Sequence, residues 1–261
     1  MDFKAIKIQL GESIAWVNLD RPEVRNALNA ELIGELTEAF DWLNSRDDIR
    51  VIVLKGNGKA FCAGADLEYM KAMAKFSYPQ NLDDAQKLSK LFQTIYFCDK
   101  AVIVEVHGAC IGGANGIIAA ADIVIAEKET KFAFSEVRLG ITPATISPFV
   151  VSKIGNTVAK ELMLTGRRFT AEEAKEFHLV NVVVDEAQMI DTERQYIDYF
   201  LKGSPDAIAE CKKLLRMVSG SDDRYNPVFM QTSVAIANQR ISKAGQEGMT
   251  SFFEKRNPNW V

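Results

Sequence analysis

Hydrophobic and polar residues alternate along this chain with two different periods. Phe3–Leu10 alternates residue by residue, Gly11-Glu12 interrupts, and Ser13–Leu19 follows. Such runs on either side of a glycine turn predict a β-hairpin. The period then changes. Leu28, Leu32, Ile33, Leu36, Phe40 and Leu43 keep helical spacing, predicting an amphipathic helix over 28–45 capped by Asn26 or Asn29. Val51–Leu54 is short and wholly apolar, as a buried strand is. A glycine turn, a helix over 67–74 and a helix over about 84–98 come next. The polar stretch 75–84, with Pro79, reads as a mobile loop.

The same order returns from residue 102. An apolar strand at 102–106 runs into glycines at 108, 112, 113 and 116, then a helix over about 113–121. Strand-like runs at 122–126 and 131–135 end at Glu136. Strands alternating with helices predict a parallel α/β assembly. A turn at 139–143 precedes a helix over 147–153, with Pro148 early in it, and a second helix over 157–164 beyond Gly155. Thr170 and Glu173 form a capping box for a helix over 171–177, and 182–184 is a short strand. After about 188 only helical spacing remains, at 188–202, 205–219, 226–243 and 246–256. The expected division is therefore a core over 1–200 and a helical region over 201–261, packed on the core or on a neighbour.

Composition narrows the function. Of 261 residues, 48% are hydrophobic and 25% charged, ordinary for a globular protein. Thirty-one Lys and Arg against 35 Asp and Glu leave a net charge of −4, which argues against nucleic-acid binding. The four cysteines, Cys62, Cys98, Cys110 and Cys211, lie in apolar surroundings and are expected as buried free thiols. Neither they nor the two histidines have metal-ligand spacing, so no metal site is expected. No apolar run of membrane length and no leader pattern is visible, and a cytoplasmic protein is expected. The glycines do not spell G-x-G-x-x-G, and no G-x-S-x-G occurs, so a dinucleotide site and a hydrolase triad are both disfavoured.

The chemistry concentrates in two glycine turns, at 61–67 and 107–116, each between a strand and a helix. The first N–H groups of a helix have no partner within it. Two such turns side by side place two main-chain donors on one oxygen, the arrangement that stabilises a developing oxyanion. Glu136, at the end of an apolar run, is a candidate proton carrier for the same place. Taken singly, the glycines also fit close helix–strand packing, and Glu136 a solvated strand end.

Seven segments in order carry a resemblance. They are R-P-x-x-x-N-A-L at 21–28, K-A-F-C-A-G-A-D-L at 59–67, H-G-A-C-I-G-G-A at 107–114, A-D-I-V-I-A at 121–126, F-S-E-V-R-L-G-I at 134–141, L-T-G-R-R-F-T-A-E-E-A at 164–174 and F-F-E-K-R-x-P-x-W at 252–260. Together they resemble the crotonase, or enoyl-CoA hydratase/isomerase, superfamily along essentially the whole chain. The resemblance implies a spiral of ββα repeats with a C-terminal helical trimerisation region, assembled as a homotrimer or a dimer of trimers. It implies an acyl-CoA thioester as substrate, with coenzyme A part of that substrate and no permanently bound cofactor. The oxyanion donors fall on the N–H groups of Ala65 and Gly113, and the acid–base group on Glu136. Coenzyme A contacts fall on Arg25, Ala27, Ala63, Asp66 and Leu67, with Phe252 and Lys255 reaching the coenzyme A of a neighbouring subunit.

One departure stands out. Hydratases of the superfamily usually carry a first glutamate three residues after the glycine donor, and here that position is Gly116. The surrounding motifs are similar to the branch that hydrates 3-methylglutaconyl-CoA, some members of which also lack that glutamate. Isomerisation or decarboxylation on the same fold is the alternative. Arg138 or Lys153 is a candidate partner for a distal substrate carboxylate, with a surface salt bridge as the plainer expectation for each.

Overall fold

A computed structural model describes residues 3–261. The hairpin forms as the alternation predicts: β1 (Ile6–Leu10) pairs antiparallel with β2 (Ile14–Leu19), Ile6 opposite Leu19. Helix α1 (Ala30–Asn44) follows, with the Asn29 side chain accepting from the Leu32 N–H at 2.9 Å. Strand β3 (Val51–Gly56) lies parallel to β2, and then come α2 (Leu67–Met73) and α3 (Tyr78–Tyr96). Strand β4 (Ala101–Val106) pairs with β3. Short strand β5 (Ala109–Ile111) and helix α4 (Ala114–Ala120) lead to β6 (Ile123–Glu127) and β7 (Lys131–Ala133). A 3-10 turn spans Glu136–Leu139. Helix α5 (Ser147–Thr165), strand β8 (Arg168–Thr170), helix α6 (Ala171–Glu176) and strand β9 (Val182–Val184) complete the mixed part. Four helices close the chain: α7 (Met189–Lys202), α8 (Pro205–Val218), α9 (Pro227–Ile241) and α10 (Lys243–Glu254).

The main sheet runs β1-β2-β3-β4-β6-β9, and β5-β7-β8 form a second, small sheet. All main-sheet pairs after the hairpin are parallel. Strands β3 and β4 are buried on both faces, which is why their sequences are apolar without alternation. One face carries Ile52, Leu54, Val102 and Val104 against α1, α3 and α4. The other carries Val51, Val53, Ile103 and Ile125 against Ile197 of α7. Helix α7 is pinned there by Glu193, which accepts from the Trp16 indole at 2.7 Å and pairs with Lys55.

Several expectations change. Most of the stretch 75–84, expected as a mobile loop, is helix, because α3 begins at Tyr78 and only 75–77 lie outside it. Pro79 sits in its first turn, where a missing N–H costs nothing, and the Ser77 N–H donates to Gln80 Oε1 at 2.8 Å. Strands β5 and β8 are too short, at three residues each, to leave an alternation. The run 131–135 stops as a strand at Ala133, so Glu136 opens a 3-10 turn instead of ending a strand. The two helices expected around Gly155 are present, with a break at that residue (φ 73°, ψ 163°). Cys62, Cys98 and Cys110 are buried, but Cys211 on α8 is exposed. No helix among the described residues is long and apolar enough to cross a membrane.

Candidate active site

The two glycine turns are stitched to each other by main-chain hydrogen bonds. The Phe61 N–H donates to His107 O at 2.9 Å, Cys62 N–H to Ala109 O at 3.0 Å, and Ile111 N–H to Cys62 O at 3.2 Å. A β-bridge joins Cys62 to Cys110, so the turns after β3 and β4 lie side by side. Gly64 adopts φ +100°, and a side chain there would come 3.3 Å from Ile111 O. Small size and left-handed backbone are both needed at this crossing.

Leu28 links the turns to the N-terminal segment. Its N–H donates to Gly64 O at 2.7 Å, and its carbonyl accepts from the Asp66 N–H at 2.9 Å. Ala65 lies between those two bonds, exposed, and among the described residues nothing in the chain accepts its own N–H. Gly113 lies on the other side of Leu28, whose Cδ1 would be 3.1 Å from a Cβ at that position. The Gly113 N–H likewise has no acceptor within the described chain, whereas the Gly112 N–H donates to Ala133 O at 2.9 Å.

Glu136 stands beside Gly112, the residue before Gly113. Its Oε1 would be 3.3 Å from a Cβ on Gly112, tight enough to press on the carboxyl, and the φ of +57° there also favours glycine. Its Oε2 is buried without a hydrogen-bond partner. Burial pushes the Glu136 carboxyl up to about 7, with no cation beside it to oppose the shift.

The position three residues after Gly113 is closed. A Cβ on Gly116 would sit 2.5 Å from Ile146 Cγ2 and 2.8 Å from the Phe92 ring. Asn115 locks the same turn, its amide donating to Ala133 O at 2.9 Å, Gly112 O at 3.2 Å and Cys110 O at 3.3 Å. An asparagine in a glycine run was the only hint of that role in the sequence.

The residues expected to hold coenzyme A form a knot before α2. Ala63 N–H donates to Arg25 O at 3.0 Å, bringing Arg25, Ala27, Ala63, Asp66 and Leu67 together. Arg25 and Leu67 are exposed, and Ala27 is buried. The Asp66 side chain is already committed. Its Oδ1 accepts from the Glu68 and Tyr69 N–H groups at 3.0 and 3.2 Å, and its Oδ2 pairs with Arg21 at 2.7 Å. Burial raises the Asp66 carboxyl, but Arg21 and the helix amides outweigh it and hold it low. Its main chain is engaged too, the N–H with Leu28 O and the carbonyl with the Met70 N–H at 2.8 Å. Arg21, not singled out as a site residue in the sequence, also donates to Ala27 O at 2.6 Å and fastens the knot.

Phe252 and Lys255 lie at the exposed end of α10, the lysine in a left-handed turn. His107 braces the first turn, its Nε2 lying 3.0 Å from Gly58 O. Lys153 is tied to the end of α4. It is half-buried, its Nζ donating to Ile118 O at 2.9 Å and Ala121 O at 3.0 Å, and desolvation lowers it to about 8. Neither Lys153 nor Arg138 makes a salt bridge among the described residues, against the plainer expectation for both.

Known proteins share the sequence pattern and the fold. A family model described as enoyl-CoA hydratase/isomerase matches residues 9–261. A carnitinyl-CoA dehydratase of Escherichia coli O157:H7 is 34% identical over 254 residues, covering 95% of each chain. The crystal structure of an enoyl-CoA hydratase from Shewanella pealeana superposes with a TM-score of 0.82 at 36% identity, over 99% of this chain and 96% of that one. An enoyl-CoA hydratase from Mycobacterium avium superposes with a TM-score of 0.88 at 29% identity over all of both chains.

Proposed function

This chain belongs to the enoyl-CoA hydratase/isomerase family, and from that premise we propose that it adds or removes water across the α,β double bond of an enoyl-CoA thioester. One observation carries the reading: a buried carboxyl without a partner, Glu136, stands against the turn whose Gly113 amide, like that of Ala65, has no acceptor in the chain. Those amides take the thioester oxygen. As water adds to C3, the Glu136 carboxylate accepts its proton, and negative charge moves onto that oxygen. The proton then passes from Glu136 to C2 and the carbonyl re-forms, so one acid closes the cycle on one face. Removal of water is the same path reversed. A carboxyl that titrates near 7 is suited to both halves.

The coenzyme A portion lies along Arg25, Ala27, Ala63, Asp66 and Leu67, with Phe252 and Lys255 supplied by a neighbouring copy in a trimer or pair of trimers. The acyl group is of the branched, 3-methylglutaconyl type, the reading that the 107–151 motifs support. With Lys153 occupied by α4, a distal carboxylate is left with Arg138. Double-bond isomerisation is the second reading. The apolar wall of Phe92 and Ile146 at Gly116 favours it, since a proton shift from one carbon to another needs one acid and no bound water.

Separate incubations with crotonyl-CoA, 3-methylglutaconyl-CoA, carnitinyl-CoA and a 3-enoyl-CoA, with products identified by mass and chromatography, distinguish these readings. Hydration or dehydration, lost by at least about 10³-fold in Glu136→Gln, is the expected result. Coenzyme A affinity should stay within a few fold. Near-normal turnover of Glu136→Gln would remove the mechanism.

A further inference from the structure

Glu136 is held by little of its own. Its turn is four residues long, and its Oε2 makes no hydrogen bond. What lies behind the turn is the corner between α9 and α10. Gly140, at φ +67°, faces it so closely that a Cβ would be 2.2 Å from Ala244 O. A Cβ on Gly248 would be 2.2 Å from Leu139 O, and one on Gly245 would be 2.1 Å from Gln239 O. These are main chain against main chain, with no side chain free to yield. The corner also hydrogen-bonds forward: Gln239 Oε1 accepts from the Thr142 N–H at 2.6 Å.

The same corner reaches the other half of the site. Gln246 Nε2 donates to Arg240 O at 2.7 Å and to Ala74 O at 3.2 Å, and Ala74 caps the end of α2. Arg240 pairs at 2.5 Å with Asp84 on α3, and Asp84 also takes the Tyr69 hydroxyl from α2. Helix α2 is the one that opens just after Ala65. One corner thus grips both the acid's turn and the helix that follows the oxyanion donor.

We infer that the α9–α10 corner sets the Glu136 carboxyl at its distance from the Ala65 and Gly113 amides, with Gln239 and Gly248 as positioning residues that never touch substrate. This rests on the reading of Glu136 as the acid–base group. A displacement of about 1 Å at reacting atoms is enough for a loss on the order of 100-fold. The inserted methyl of Gly248→Ala forces a shift of that size, and Gln239→Leu removes only the bond to Thr142.

The test compares Gln239→Leu, Gln239→Glu and Gly248→Ala with the wild type. Gln239→Leu should lower kcat about 10-fold or more while KM changes less than about threefold. The acid limb of its kcat/KM profile should move toward the ordinary carboxylate range as water reaches Glu136. Gln239→Glu, which keeps an acceptor oxygen, should restore most of kcat. Amide exchange of residues 136–142 should quicken in Gln239→Leu, a readout that does not depend on turnover. Unchanged kcat, pH limb and exchange in folded Gln239→Leu would overturn the inference, whether or not Gly248→Ala folds. A wild type inactive on every thioester overturns the proposed chemistry instead, and the exchange measurement still decides whether the corner clamps this turn.

Discussion

At the scale of the residue, Glu136 carries a cost that its chemistry explains. An unfolded glutamate titrates near its ordinary 4.5, and the folded one is pushed up to about 7 by burial. Between those values the folded chain holds the proton more tightly than the unfolded chain. Stability therefore falls as pH rises from about 4.5 to about 7 and is level above it. The gap of roughly 2.5 units corresponds to about 3 kcal/mol at most. Glu136→Gln has nothing to ionise, so without ligand it should melt higher than wild type at pH 8, with the advantage shrinking toward zero near pH 4.5. Paired thermal melts across that range check it; an equal difference at both ends would mean that ionisation is not the cause. The same group governs rate. Hydration needs the carboxylate, so kcat/KM should rise through an acid limb near pH 7 and level off above it. A limb near pH 4.5 would place a different group, or a hydrated Glu136, in the role.

Elements explain why some of this was legible in the sequence and some was not. Residues Val51–Leu54, the α1 stripe and the Thr170–Glu173 box announce themselves because local spacing and capping chemistry decide them. The glycine turns at 61–67 and 107–116 were legible as turns. That they face each other depends on the Cys62–Cys110 bridge and on Leu28, a contact between segments far apart in sequence. The polarity of 75–84 and its Pro79 point to a loop, but a proline in a first turn favours a helix, and Ser77 caps it there. Asp66, expected beside coenzyme A, is also a helix cap tied to Arg21, a partner that no spacing rule joins across 45 positions. Gly116 shows the same limit from another side. Its sequence says only that a carboxylate is missing; packing shows that any side chain there would have to displace Phe92 and Ile146. Gly116→Glu should therefore fail to supply a second acid. It should lower stability by about 1–3 kcal/mol through overpacking of α4, with hydration no faster than wild type. Urea melts and crotonyl-CoA turnover check both parts, and a stable, faster variant would show that α4 yields where its packing says it does not.

At the scale of the whole molecule, α8 is built inside out. Its one buried residue is Arg216, paired with Asp222 at 2.9 Å and lying 5.2 Å over the Phe97 ring. Its apolar residues face outward: Leu214 is 52% exposed, Leu215 64%, Met217 61% and Val218 77%. Tyr225 adds 93% in the loop that follows. An apolar stretch of this kind, continuous along one helix, marks a surface meant to be covered. The resemblance that implies trimers puts the occupant as another copy of this chain, and it also puts Phe252 and Lys255 of that copy on the coenzyme A. The two implications are linked and can be tested together. Leu214→Asp with Leu215→Asp changes residues that a lone chain leaves in water, so the monomer's fold and helix content should be unaffected. Sedimentation velocity should then show a monomer for the variant and a trimer or its multiple for the wild type. Coenzyme A affinity should fall by about tenfold as the neighbour's contacts are lost, roughly 1.4 kcal/mol. A double variant that still sediments with the wild type would put the trimer contact elsewhere, and a monomer with unaltered coenzyme A affinity would return Phe252 and Lys255 to ordinary surface residues.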